Sequence, residues 1–90
     1  MDPVYSALPP DDAAHVQRLS RLMYESRENC RDVLNALGAG SADELLARIA
    51  HAELPEHPAY EHYLAARILA DTHEIARSEV ARILKEANAQ

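Results

Sequence analysis

The chain has 90 residues and a formal net charge of −6, and 48% of its residues are hydrophobic. Alanine supplies 17 of the hydrophobic residues, whereas Phe and Trp are absent and Gly occurs twice. This composition excludes a β-sandwich or barrel, which needs β-branched and aromatic residues and frequent turns. It also excludes a disordered or disulfide-stapled chain, and the length allows one domain.

The first ten residues include Pro3, Pro9 and Pro10. Because proline lacks an amide donor and fixes its φ angle, we predict an extended lead-in over residues 1–10, followed by a single helical domain over residues 11–90. The sequence begins with neither the basic cluster nor the apolar stretch of a secretory signal, and no apolar run has the length of a membrane span. We therefore expect a cytoplasmic protein that has no membrane partner.

Residues 11–37 contain no Gly or Pro, and their apolar side chains recur at steps of three and four. This spacing predicts a long amphipathic helix over about residues 11–37. Gly38 follows directly after it, at the position where many helices end in a left-handed backbone conformation. The first long helix is therefore expected to stop at this glycine.

A short second helix is predicted over about residues 42–52. Ser41 and Glu44 have the spacing of a capping box, in which the serine hydroxyl accepts the Glu44 amide proton. In the same motif, the glutamate side chain reaches back to the Ser41 amide. Pro55 and Pro58 then end the short helix and form a tight connection.

A third helix is predicted over about residues 59–88, which again lack Gly and Pro. At 1.5 Å per residue, the two long helices are each roughly 40–45 Å long, which is too long for a compact globule. We therefore predict an all-α fold: an antiparallel hairpin of two long helices with the short capped helix between them. We further predict that two hairpins pair into a four-helix-bundle-like dimer. The alternative is a monomeric three-helix domain.

The apolar stripes of both long helices are wider than one helix–helix contact requires. The residues that widen them, together with two tyrosines near the start of the third helix, form the predicted interface: Leu22, Leu34, Tyr60, Tyr63, Leu64, Ile68 and Ile75. Tyrosine is enriched at interfaces because it combines an apolar ring with a polar tip. Ordinary partial burial is the alternative explanation for the tyrosines.

Small residues occupy the middle of both stripes, with Ser26 and Cys30 on the first helix and Thr72 and Ala76 on the third. Small side chains let helix axes approach closely, and we predict close packing here rather than a ligand cavity. Cys30 is the only cysteine, so the chain has no intrachain disulfide. Its place on the apolar stripe, in the middle of a helix, predicts a buried and inert thiol.

Histidine is unusually frequent in one segment, since four of the five histidines lie between residues 51 and 73 among several carboxylates. Imidazole and carboxylate groups bind zinc, iron or nickel, which makes His51, His57 and His62 candidate metal ligands. The sequence contains neither His-x-x-x-His nor the Glu-x-x-His pair of di-iron bundles. We therefore predict solvated histidines, with no metal and no cofactor; a pH-sensitive interface is a further alternative.

The sequence contains no Gly-rich phosphate loop and no convergent set of acid, base and nucleophile, so we predict no catalytic residues and no enzyme. The nine basic residues are dispersed and the chain is acidic, which disfavours a nucleic-acid partner. We predict a non-catalytic helical protein that acts through homo-oligomerisation and contact with a protein partner, as an adaptor, regulatory or accessory subunit. The alternatives are a His/carboxylate metal-binding bundle and a small DNA-associated transcriptional accessory protein.

Overall fold

Three α-helices make up the part of the chain that the computed structural model describes, residues 8–89. In chain order they are α1 (Pro10–Asn35), α2 (Ala42–Ala50) and α3 (Glu56–Asn88). No strand occurs between residues 8 and 89, which confirms the predicted all-α class. None of the three helices in this range is both long and apolar enough to cross a membrane. Most of the predicted extended lead-in lies outside the described residues.

The start of α1 follows from its first residues. Pro9 occupies the N-cap position and Pro10 is the first helical residue. Proline suits this position because its missing amide proton would have no acceptor within the helix. Asp11 and Asp12 lie in the first turn, where carboxylates interact favourably with the helix dipole.

The end of α1 lies at Asn35, two residues before the predicted boundary, because the last turn tightens. The amide of Leu37 donates to the carbonyl of Leu34 at 3.1 Å, which is an i→i+3 bond. Gly38 then adopts a left-handed backbone with a φ of +66°. Its amide donates to Asn35, and the amide of Ala39 donates to Leu34. These two bonds form a Schellman motif, which confirms the predicted role of Gly38.

The predicted capping box at the start of α2 is confirmed in one of its two hydrogen bonds. The amide of Glu44 donates to Ser41 Oγ at 3.0 Å, as predicted. The Glu44 carboxylate, however, accepts the amide proton of Gly40 at 2.7 Å rather than that of Ser41. A β-carbon at residue 40 would lie 2.9 Å from this carboxylate, so the absence of a side chain at Gly40 permits the contact.

The end of α2 repeats the hydrogen-bond pattern of α1 without a glycine. The amide of Ala52 donates to Ile49 at 3.0 Å, and the amide of Glu53 donates to Arg48 at 2.9 Å. Ala52 therefore occupies the left-handed position, with a φ of 58°. A β-carbon is strained in this region. Because of this turn, α2 ends at Ala50, two residues before the predicted boundary.

The helical backbone of α3 effectively begins at Pro58, since His57 has an extended conformation with φ −111° and ψ 127°. This start lies one residue before the one predicted, and α3 ends at Asn88, where the prediction placed its end. Glu56 and His57 thus form the entry to the helix rather than its first regular turn.

The two long helices pack against each other as an antiparallel hairpin. One core cluster lies where α1 ends and α3 begins, and α2 contributes to it: Leu34, Ala39, Leu45 and Ala66. A second cluster lies where α1 begins and α3 ends: Leu8, Val16 and Ile83. The start of one long helix therefore meets the end of the other, which confirms the predicted hairpin with a short helix between its arms.

The hairpin is elongated, with extents of 53 × 19 × 17 Å and a radius of gyration of 17.2 Å. A compact domain of this chain length has a radius of gyration of about 12 Å. The difference follows from the helix lengths, because two long unbroken helices pack side by side and cannot fold into a sphere.

Small side chains occupy the middle of the contact between α1 and α3. Ser26 on α1 and Ala66 and Ala76 on α3 are buried there. The Ser26 hydroxyl donates to the carbonyl oxygen one turn earlier at 2.7 Å, so its polar atom is satisfied within the helix. Ser26 and Ala76 therefore pack closely as predicted, whereas Cys30 and Thr72 are only half-buried.

Replacing the strained alanine should stabilise the fold. Ala52→Gly is expected to raise the free energy of unfolding by about 1 kcal/mol, because glycine has no β-carbon to clash in the left-handed region. Urea unfolding followed by circular dichroism measures the change. Ala81→Gly is the matched control, since Ala81 is exposed within α3 and glycine there should destabilise the helix by about 1 kcal/mol. A less stable Ala52→Gly variant would contradict the strain at this turn.

Candidate functional site

Large apolar side chains lie in a row on the exposed side of α3. Leu64, Ile68 and Ile75 expose 43%, 65% and 71% of their surface. Together with Asp71 they recur at steps of four, three and four residues, which is the spacing of a coiled-coil seam. We refer to Leu64, Ile68, Asp71 and Ile75 as the outer row. It gives α3 a second apolar face in addition to the face that packs on α1.

The outer row borders a shallow groove between α1 and α3. The groove has a volume of about 370 Å³, and its walls include Leu19 and Leu22 of α1 and Thr72 and Ile75 of α3. Leu22 is an exposed residue. Leu22 and Ile75, both residues of the predicted interface, therefore share an accessible apolar surface.

Two tyrosines stack near the start of α3. The ring centroids of Tyr60 and Tyr63 are 5.9 Å apart, with an angle of 25° between the ring planes. Tyr60 is exposed, whereas Tyr63 is half-buried and packs against the core cluster that contains Leu45. Tyr63 thus supports the ring of Tyr60 from the core side, and Tyr60 is the tyrosine that offers a contact surface.

Leu34 does not belong to this exposed surface. Its side chain is only 8% exposed, because the short helix α2 brings Leu45 into the same core cluster. Leu34 is therefore a core residue of a single hairpin, and little of its surface remains for the predicted contact between chains. Leu22 lies three turns earlier on α1 and stays exposed.

The three candidate metal ligands each make a contact along their own helix or turn. Nδ1 of His51 and Nδ1 of His62 lie 2.7 and 3.0 Å from the carbonyl oxygen four residues earlier. Nδ1 of His57 lies 2.8 Å from Glu61 Oε1, and this hydrogen bond lowers the pKa of the Glu61 carboxyl. In the described range, no three His, Cys, Asp or Glu side chains are grouped closely enough to hold a metal ion.

Arginines of the same helix engage the carboxylates in the second half of α3. Arg77 donates to both oxygens of Glu74, at 2.5 and 3.0 Å. Arg82 contacts Glu79 and donates to Glu86 at 2.8 Å. The hydrogen bonds from arginine lower the pKa values of the Glu74 and Glu79 carboxyls. These carboxylates are therefore charged at neutral pH and form exposed local ion pairs, which is the usual role of such residues on a helix surface.

A second concave surface lies between the end of α1, the turn after it, and α3. It has a volume of about 320 Å³ and shares no lining residue with the groove beside Leu22. Arg27, Cys30 and Arg31 of α1 line it, together with His73 of α3. From the sequence, close packing rather than a ligand cavity is predicted for the small residues around Cys30, whereas Cys30 lines this concave surface. The available signal was the spacing of Arg27 and Arg31, which are four residues apart and flank Cys30 on one helix face.

Cys30 lies at the contact between the two long helices. Its thiol donates to the carbonyl oxygen of Ala66 at 3.5 Å, and its side chain is half-buried. Burial raises the pKa of the Cys30 thiol above its ordinary value. The thiolate fraction at neutral pH is therefore smaller than that of a free cysteine, as the position on the apolar stripe suggests.

No model of a known protein family, no curated protein sequence and no solved structure matches this chain.

The environment of Cys30 predicts that its thiol reacts slowly with labelling reagents. A thiol reagent should label Cys30 of the native protein more slowly than free cysteine at the same pH, and the rate should still be rising above about pH 8.5 because the thiol pKa is raised. Stopped-flow absorbance measurements with the thiol reagent give the labelling rate. The urea-unfolded chain is the control. Equal labelling rates in the native and unfolded protein would contradict this assignment.

Proposed function

We propose that the chain is a small non-catalytic helical protein that acts by binding other protein chains, and first of all a second copy of itself. The observation that carries this proposal is the outer row, whose Leu64, Ile68 and Ile75 remain exposed in a single hairpin. Contiguous exposed apolar side chains, bordered by polar ones, are typical of protein–protein contact sites. An adaptor, regulatory or accessory role fits such a surface.

The area of the hairpin supports a partner of its own size. The accessible surface is 6187 Å², whereas a compact monomer of this mass exposes about 5,200 Å². The excess of about 1,000 Å² is comparable with the roughly 800 Å² that each partner buries in an interface of standard size. Docking a second copy on α3 would bring the exposed area per chain back to the usual range.

The outer row suits antiparallel pairing of two α3 helices about a twofold axis. When the axis passes between residues 69 and 70, Leu64 of one copy lies level with Ile75 of the other. Ile68 then lies level with Asp71. The pairing gives two outer layers in which Leu64 meets Ile75. Between them lie two central layers in which Ile68 meets Asp71.

The charges beside the outer row are complementary in this pairing. Arg67 and Glu74 border the row on the same side. In the antiparallel pair, Arg67 of one copy comes about 3 Å along the axis from the level of Glu74 of the other. Arg77 already engages both oxygens of Glu74, so an ion pair between the copies would share this carboxylate with Arg77. Arg67 has a weak partner within its own chain, since the nearest oxygen of Asp43 is 3.7 Å away.

The local environment of the titratable groups favours an accessory role over catalysis. Between residues 8 and 89, His51, His57 and His62 contact groups of their own helix or turn. In the second half of α3, Glu74, Glu79 and Glu86 pair with nearby arginines. General acid–base chemistry needs such groups to converge around a substrate. The apolar side chains of the outer row, by contrast, remain exposed to solvent in the single hairpin.

The self-association of the chain tests this proposal directly. Sedimentation equilibrium at micromolar concentration should give about twice the monomer mass of 10.0 kDa. Ile68→Asp should give the monomer mass with unchanged helical circular dichroism, because Ile68 is 65% exposed and supports no core contact within the hairpin. Ala81→Asp is the matched control, since Ala81 is exposed on α3 outside the outer row. A wild-type mass of 10.0 kDa across this range would overturn the proposal.

A gain of affinity provides a second test. Asp71→Leu completes the apolar row and should lower the dissociation constant of the dimer by at least about tenfold, because a leucine side chain becomes buried in place of a carboxylate. Sedimentation equilibrium over a concentration series measures the constant. Asp32→Leu on the exposed side of α1 controls for nonspecific association caused by an added exposed leucine. If Asp71→Leu associates no more tightly than Asp32→Leu, the outer row is not the contact.

A further inference from the structure

The cavity between α1 and α3 has an apolar floor. Leu34 and Ala39 are buried at its base, and Leu69 of α3 forms part of its wall. Its volume of about 320 Å³ lies at the lower end of the range for small-molecule sites. A floor of this size and chemistry suits a short alkyl chain.

The rim of this cavity is basic. Arg27 and Arg31 lie one helical turn apart at its edge, and His73 faces them from α3. The closest approaches of the two guanidinium groups to Glu28 Oε1 are 3.9 and 3.7 Å. These distances are too long for hydrogen bonds, so Glu28 attracts both groups without orienting either.

The rim arginines differ from Arg21, Arg77 and Arg82, three other arginines of the long helices. Arg21 donates to Glu25 at 2.8 Å, and Arg77 and Arg82 make close hydrogen bonds to glutamates of their own helix. A guanidinium group presents a planar set of donors that matches a carboxylate or a phosphate. Two guanidinium groups beside an apolar surface make this part of the molecule locally basic, although the net charge of the chain is −6.

We propose that this cavity binds a small amphipathic anion, a short apolar chain that ends in a carboxylate or a phosphate. The alkyl chain lies against Leu34, Ala39 and Leu69, and Arg27 and Arg31 hold the charged end. The cavity contains no residue of the outer row. Ligand binding and self-association therefore use separate surfaces, and either can fail in an experiment without the other.

Titration of the full chain with three probes of equal chain length tests the ligand class. Octanoate and octyl phosphate carry the two anionic ends, and octylammonium carries the opposite charge. Chemical-shift changes of the backbone amides give the affinity, and slower labelling of Cys30 reports occupancy, because Cys30 lines the cavity. We expect at least one anion to bind at least tenfold more tightly than octylammonium. No binding of either anion at about 1 mM, or equal binding of octylammonium, would overturn the proposal.

Substitutions then locate the site. Replacing both rim arginines, Arg27→Gln with Arg31→Gln, should weaken anion binding at least tenfold, whereas Arg21→Gln elsewhere on α1 should not. Ala70→Leu fills part of the cavity and should abolish binding, whereas Ala81→Leu at an exposed position of the same helix should leave it unchanged. Sedimentation of each variant shows separately whether self-association persists. Wild-type affinity in the double glutamine variant would refute the assignment.

Glu28 provides a test in which binding should improve. Its carboxylate competes with the ligand for both rim arginines, so Glu28→Gln should raise the affinity for the bound anion several-fold. Glu25→Gln is the control, because Glu25 pairs with Arg21 away from the cavity. Weaker binding by Glu28→Gln than by Glu25→Gln would contradict the proposed place of the charged end.

Discussion

The packing of α1 on α3 through small side chains is the contact on which the rest of the structure depends. Ser26, Ala66 and Ala76 are buried between the two helices, and small residues let helix axes approach closely. Such residues remove little apolar area from water when they are buried. The hairpin therefore holds together along its 53 Å length without covering the outer faces of its helices. The exposed outer row is a consequence of this thin core.

The short helix α2 makes the two ends of the hairpin different. The Schellman turn at Gly38 and the cap at Ser41 reverse the chain, and Arg48 of α2 donates to the Leu37 carbonyl at 2.9 Å. These contacts fold α2 back so that the fully buried Leu45 packs beside Leu34. The opposite end has no third helix in the described range, and Leu8 fills part of that space.

The sequence predicts the helices well because their signals are local. The steps of three and four, the glycine at residue 38 and the Ser41–Glu44 pair each act within a few residues, and the structure contains all three helices. The boundaries of α1 and α2 shift by two residues, because hydrogen bonds in the last turn decide where regular helix ends. The left-handed Ala52 has no sequence signal, since glycine is the residue that usually marks such a turn.

The candidate surfaces are harder to predict because they depend on what each helix face meets. Leu22 and Leu34 look alike in the apolar pattern of α1, yet only Leu34 has α2 beside it. Tyr60 and Tyr63 likewise differ only through the core cluster that Tyr63 joins. The pattern of α1 places Arg27 and Arg31 on one helix face, but the concave surface that they border arises only where α1 meets α3.

The polar residue of the outer row has a specific consequence for the proposed dimer. In the register described above, Leu64 lies level with Ile75, and no two carboxylates meet in the seam. Shifting one helix by one heptad sets Asp71 level with Glu61, so two like charges would face each other. A shift in the other direction sets Leu64 level with Arg82 and leaves no layer with two large apolar side chains. Asp71 therefore weakens the seam but favours one register, as a polar residue within a coiled-coil seam commonly does.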